Sequence, residues 1–106
     1  MAPPKAVLRG VSGTYFGKVI PVSGRLTIGR GNDCDLVLDE PEMSRRHAMV
    51  EATPAGIWLR DLGSSNGTIL LSTVSDTLRL PPHQAHPLAN GDRIRVGDTT
   101  LHFMIS

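Results

Sequence analysis

Apolar residues in this 106-residue chain fall in short runs, separated by turn-forming residues at intervals of about ten. That spacing is typical of an all-β sandwich or barrel. The final run shows it most sharply: Leu101, Phe103 and Ile105 alternate with Thr100, His102 and Met104, so one face packs and the other meets solvent. Gly97-Asp98 just ahead suits a type II′ hairpin turn. In Arg25-Leu26-Thr27-Ile28, Leu26 and Ile28 point one way while Arg25 and Thr27 point the other. The pattern predicts strands over Ala6–Val11, Lys18–Val22, Arg25–Ile28, Asp35–Leu38, His47–Ala52, Ile57–Asp61, Thr68–Leu71, Arg93–Val96 and Thr99–Ile105.

No helix of useful length is expected, because Pro, Gly or β-branched clusters interrupt every candidate; the eleven Gly and eight Pro point the same way. Between Ser72 and Asn90 the alternation fades. Thr77-Leu78-Arg79-Leu80 fits a short strand, whereas Pro81-Pro82-His83-Gln84-Ala85-His86-Pro87 excludes a central strand and favours an exposed, extended loop. The length fits one compact domain over 1–106, with a core of about 5–105.

Charge narrows the function. Eleven Lys and Arg against ten Asp and Glu leave a formal charge of +1, which gives no global field to attract DNA or an anionic membrane. Any anion binding must therefore be local. Tyr15, Phe16, Trp58 and Phe103 form no stacking row with the basic residues, so no nucleic-acid partner is expected. The single cysteine, Cys34, cannot form an intramolecular disulfide, and His83-x-x-His86 lacks the Cys or carboxylate that would make a metal site. Neither a metal nor a cofactor is expected. Met1–Lys5 lacks the apolar run of a signal peptide, and no stretch approaches the ~20 apolar residues that span a bilayer. The expectation is a cytoplasmic domain without a membrane partner, standing alone or as one module of a longer protein.

Three strings supply candidate chemistry. In Gly29-Arg30, the Arg ends a predicted strand, with Gly29 and Gly31 letting the backbone turn beside it. Alone, Arg30 reads as a solvated strand-end residue. In Ser44-Arg45-Arg46-His47, a serine hydroxyl and amide can both donate to an anion while Arg45 or Arg46 adds positive charge; an ST-turn with exposed arginines fits equally. His47 reads as a structural residue donating a ring N–H to nearby backbone. In Ser64-Ser65-Asn66-Gly67-Thr68, Asn66-Gly67 is a strong hairpin signal between two apolar runs. The paired serines and Thr68 add to that turn an Asn able to hold a peptide backbone and a Ser65 hydroxyl able to reach a phosphate. Ser44, His47 and Asp61 are triad residue types, yet no Gly-x-Ser-x-Gly elbow, Walker loop, acidic metal cluster or catalytic Cys context accompanies them, so the chain is not expected to be an enzyme.

In order and spacing the three strings resemble the forkhead-associated (FHA) domain, and Asn90-Gly91-Asp92-Arg93-Ile94 resembles that family's Gly-Asp-x-Ile segment. The resemblance implies a twisted β-sandwich of about eleven strands with peptide-binding loops at one end, serving phosphothreonine-dependent interaction in Ser/Thr kinase signalling. It implies that Arg30 and Ser44 contact the phosphate, assisted by Arg45 and Ser65, and that Asn66 holds the peptide backbone. Gly29, His47, Gly67 and Thr68 would support the site. The chain departs from the family pattern in lacking a second Asn-Gly turn after Thr68, and in placing Arg after Ser44, which fits a second phosphate or an acidic flanking residue. The alternative is an FHA-like structural or oligomerisation domain that binds partners independently of phosphate. Self-association through phosphorylated Thr14, Thr73 or Thr77 is a further expectation.

Overall fold

The computed structural model describes residues 5–74 and 76–105, so the ends of the expected 1–106 unit and Ser75 lie outside the described residues. Eleven strands follow one another: β1 (Ala6–Ser12), β2 (Val19–Val22), β3 (Arg25–Gly29), β4 (Leu36–Val37), β5 (Ala48–Thr53), β6 (Gly56–Asp61), β7 (Thr68–Leu71), β8 (Leu78–Arg79), β9 (His86–Pro87), β10 (Arg93–Val96) and β11 (Thr99–Ile105). There is no helix among the described residues, and none is therefore long and apolar enough to cross a membrane. Period-two alternation places all nine predicted strands within one residue at each end.

The strands form two sheets, ordered β2-β1-β11-β10-β7-β8 and β4-β3-β5-β6-β9. Alternate side chains from both fill the space between them. Leu8, Leu70, Ile94, Leu101 and Phe103 from the first sheet meet Ile28, Leu36, Val50 and Leu59 from the second, all buried. At about 1.5–3 kcal/mol for each large side chain withdrawn from water, this layer is the main stabilising term.

The weakly patterned 72–90 segment yields two short edge strands. β8 falls inside Thr77–Leu80 and pairs with β7. The proline-rich stretch, expected as a loop, contributes β9 at the outer edge of the second sheet, where Pro87 need not donate to a further strand. Gly97-Asp98 forms a two-residue hairpin loop with Gly97 at φ 58° and no positive φ at Asp98, which is the type II′ pattern. Asn66-Gly67, by contrast, is not a hairpin. β6 and β7 belong to different sheets, so the turn carries the chain across the sandwich.

Two poles result. Ala6 pairs with Ile105, bringing both ends of the described sandwich together at one pole. At the opposite pole lie the end of β3, the loop before β5, the β6–β7 crossover and the tip of the β10–β11 hairpin, tied together by the bonds described next.

Candidate functional site

Asp61, the last residue of β6, builds the crossover. It is only 2% exposed, and its two oxygens gather four donors. Oδ2 accepts the Gly63 and Ser64 amides at 3.0 Å each. Oδ1 accepts the Thr68 hydroxyl at 2.7 Å and the Ser64 hydroxyl at 2.5 Å. The Ser64 hydroxyl in turn accepts the Gly67 amide at 3.0 Å. Burial alone would push the Asp61 carboxyl up, but the bonds from Ser64, Thr68 and Gly63 together outweigh it and hold the group below its ordinary value. Thr68 thus turns its hydroxyl inward, leaving Ser65 and Asn66 exposed on the loop crest.

The Ser44 loop meets this crest. The Ser65 amide donates to the Ser44 hydroxyl at 3.0 Å, and Asn66 Nδ2 donates to the Glu42 carbonyl at 2.7 Å. An acceptor facing that side fixes the Asn66 amide orientation and leaves Oδ1 with no partner among the described residues. His47, fully buried, braces both loops: Nδ1 accepts the Ser44 amide at 3.3 Å, and Nε2, 2.8 Å from the Gly67 carbonyl, donates to it. One neutral tautomer satisfies both contacts. The Ser44 amide is therefore spent, and only its hydroxyl remains for a ligand.

Arg30 is held by its backbone, its amide donating to the Ser44 carbonyl at 3.0 Å while the Gly31 amide donates to the Arg45 carbonyl at 3.0 Å. This pairing explains Gly29. A Cβ there would stand 2.4 Å from the Arg45 carbonyl oxygen. Neither Gly29 nor Gly31 has a positive φ, so the expected sharp turn is not what requires them. At Gly29 it is the close approach of the Arg45 backbone, while a Cβ at Gly31 would stand 2.7 Å from the Asp33 Oδ1 and 3.1 Å from the Arg45 carbonyl oxygen. The three arginines are not equivalent. Arg46 is engaged by Asp33 at 2.7 Å, whereas the exposed Arg30 and Arg45 guanidiniums have no side-chain partner among the described residues. The Arg46 contact holds Asp33 below its ordinary value.

Glu40 fastens a third loop. Its carboxylate accepts the Asp98 amide at 2.8 Å and the Thr99 hydroxyl at 2.6 Å, clamping the β10–β11 tip against the Ser44 loop. Between them opens a groove of about 390 Å³ lined by Glu42, Asn66, Gly67, Ile69, Arg95 and Gly97.

The structure thus brings Gly29, Arg30, Ser44, Arg45, His47, Ser65, Asn66, Gly67 and Thr68 to one pole. The Ser44–His47–Asp61 set is not assembled as a triad, since both His47 nitrogens and both Asp61 oxygens are bonded elsewhere. Sequence reasoning missed Asp61 as loop organiser, although Asp-x-Gly-Ser is an Asx-turn pattern that could have shown it. It also missed Glu40, which bonds residues 58 and 59 positions away and leaves no local signal.

Fold and site together define an all-β interaction module that offers its ligand contacts from loops at one end of a sandwich. The chain belongs to the FHA domain family, whose model matches residues 26–97. It is 37% identical to an ABC transporter ATP-binding/permease protein of Mycobacterium tuberculosis across 96% of this chain, but spans only 12% of that protein. Its structure is similar to Mycobacterium tuberculosis EmbR solved with a low-affinity phosphopeptide, at TM-score 0.81 and 33% identity, over 97% of this chain and 25% of that one. It is also similar to the MEK1 FHA domain solved with a phosphothreonine peptide of HOP1, at TM-score 0.79 and 27% identity, over 100% of this chain and 99% of that one.

Proposed function

We propose that this domain binds phosphothreonine in partner proteins and acts by recruitment, without catalysis. The observation that carries the reading is the state of Ser44. Its hydroxyl accepts from the Ser65 amide and so keeps its one hydrogen for an acceptor ligand, beside two arginines whose guanidiniums have no side-chain partner among the described residues. A phosphothreonine supplies nearly two negative charges and three acceptor oxygens, the complement of this set. Arg30 and Ser44 contact the phosphate, with Arg45 and the Ser65 hydroxyl completing the shell. The Asn66 Oδ1 accepts a backbone amide of the peptide. Gly29, His47, Gly67 and Thr68 keep the loops in register. The phosphopeptide complexes of the two solved relatives support the same reading.

The occupied nitrogens of buried His47 support binding over catalysis, because neither is free to take a proton from Ser44. The recognition unit extends over about 5–105, since β1 and β11 complete the sheet that carries the hairpin tip. Its setting is Ser/Thr kinase signalling in the cytoplasm. A small threonine-methyl pocket adds only ~0.8 kcal/mol by area, so preference over phosphoserine also draws on the stiffer threonine side chain.

The test is titration with phosphothreonine, phosphoserine and unphosphorylated peptide pools. Phosphothreonine alone should bind, and Arg30→Ala should weaken it by at least about tenfold while leaving the melting temperature unchanged, as expected for a lost charge-assisted contact at an exposed site. Equal binding of all three pools would replace this reading with phosphate-independent association.

A further inference from the structure

Beyond Ile69 and Arg95, which line the groove, the outward face of the first sheet lies outside the site just described, and the charge of its strand residues is one-sided. Strand register places Val19, Arg9, His102, Arg93 and Leu71 in one row across β2-β1-β11-β10-β7. The next row towards the site holds Thr100, Arg95, Ile69 and Arg79. Partners in an antiparallel register share a face, so four arginines and a histidine stand together with no acidic strand residue among them. Arg9, Arg79 and Arg93 have no side-chain partner among the described residues, and Arg95 reaches only the Gly97 carbonyl at 3.4 Å. Asp92, adjacent in sequence, is buried and occupied by the Ala89 and Thr73 amides. On a chain whose formal charge is +1, this is a strong local segregation.

The face is continuous with the site. Arg95 and Ile69 line the groove beside Asn66 and also belong to the row nearer the site. The Arg93 row lies about 7 Å further along the strands, so a peptide leaving over Asn66 reaches it within roughly four extended residues. Half-buried Ile69, Leu71 and Met104 stand among the arginines, a mixture that suits apolar and acidic side chains in alternation. Nucleic acid fits less well, since the strand residues of this face include no aromatic side chain for stacking.

We infer that the outer face of the β2-β1-β11-β10-β7-β8 sheet is a second docking surface, which takes an acidic stretch flanking the phosphothreonine in the same partner. This rests on the phosphothreonine reading above. Glu42 on the groove wall opposes acid within the groove, so the stretch begins beyond it.

The test uses anisotropy with a short phosphothreonine peptide and with versions extended by about eight residues, enough to cross both rows. The extensions alternate Glu with Leu, or Gln with Leu, on either flank. The Glu extension on one flank should tighten binding about tenfold at low ionic strength, and the gain should vanish near 0.5 M salt, as screened surface pairs do. The double variant Arg9→Glu/Arg93→Glu should lose the gain yet bind the short peptide normally, which also shows that it folds. An equal gain from Gln, or a gain that survives in the double variant, overturns the inference. So does phosphatidylserine-vesicle binding that needs Arg9 and Arg93 while neither Glu extension gains. If the short phosphopeptide fails to bind, the phosphothreonine reading falls. The unphosphorylated Glu peptide then decides the face by itself: weak binding lost in the double variant supports it, and no binding overturns it.

Discussion

Exchanging Asp61 for asparagine preserves volume but turns one of its two acceptor oxygens into a donor, against a shell made only of donors: the Gly63 and Ser64 amides and the Ser64 and Thr68 hydroxyls. Asp61→Asn should cost about 2–3 kcal/mol, the range for leaving buried donors unpaired, and should appear as a lower melting temperature. The native carboxyl also has a pH signature. Its folded value lies below the ordinary 3.8, so its contribution is present above that value and is lost as the pH falls through the folded value. Acid titration of stability should show this step in the native protein and lack it in Asp61→Asn. Gly29→Ala would set a methyl 2.4 Å from the Arg45 carbonyl oxygen, with backbone and not a flexible side chain on the other side. A cost of about 1–3 kcal/mol is expected from such overpacking, with phosphopeptide affinity falling alongside stability because Arg30 and Ser44 are displaced together. At this scale the residue types were legible in sequence and their division of labour was not. Arg45 and Arg46 look alike as letters; Asp33, brought across by the 31–35 loop, engages only Arg46.

At the scale of elements, legibility followed burial. Strands with one packed face, such as β10 and β11, declare themselves by alternation. β8 and β9 are two residues each at sheet edges, with little buried side chain to impose a pattern. The Asn66-Gly67 turn misled for a different reason: local turn chemistry reports backbone conformation at Gly67, φ 85°, but carries nothing about which sheet receives the next strand. The link between loop and hairpin through Glu40 is testable at this scale. Glu40→Ala removes the bonds to the Asp98 amide and the Thr99 hydroxyl. Hydrogen exchange at Asp98 should accelerate by about tenfold or more, and phosphopeptide affinity should fall several-fold, consistent with losing about 1–2 kcal/mol of charge-assisted bonding. The sheet itself should keep its protection pattern.

Across the whole molecule, the pairing of non-consecutive strands was the part that no stretch of sequence displayed, whereas Gly97-Asp98 did announce the β10–β11 hairpin. Consecutive strands pair within each sheet, but the sheets are closed by non-consecutive partners: β1 with β11, β7 with β10, β3 with β5 and β6 with β9. Resemblance to a family supplied the strand number and the placement of loops at one end; alternation alone supplied nine strands and no order. The loops of the candidate site, by contrast, were visible as three strings because turns keep their polar residues in short contiguous runs.

The pairing of Ala6 with Ile105 has a mechanical consequence. Tension applied through both ends of the sandwich acts at a single pole, so β1 and β11 are loaded like the two sides of a zip and their cross-strand bonds are strained a few at a time. Force spectroscopy through these ends should record a low rupture force, with peeling that advances from Ala6 towards Ser12. On the proposed reading a phosphopeptide binds at the far pole, outside the first bonds to part. It should therefore raise the thermal midpoint by mass action while leaving the initial rupture force almost unchanged.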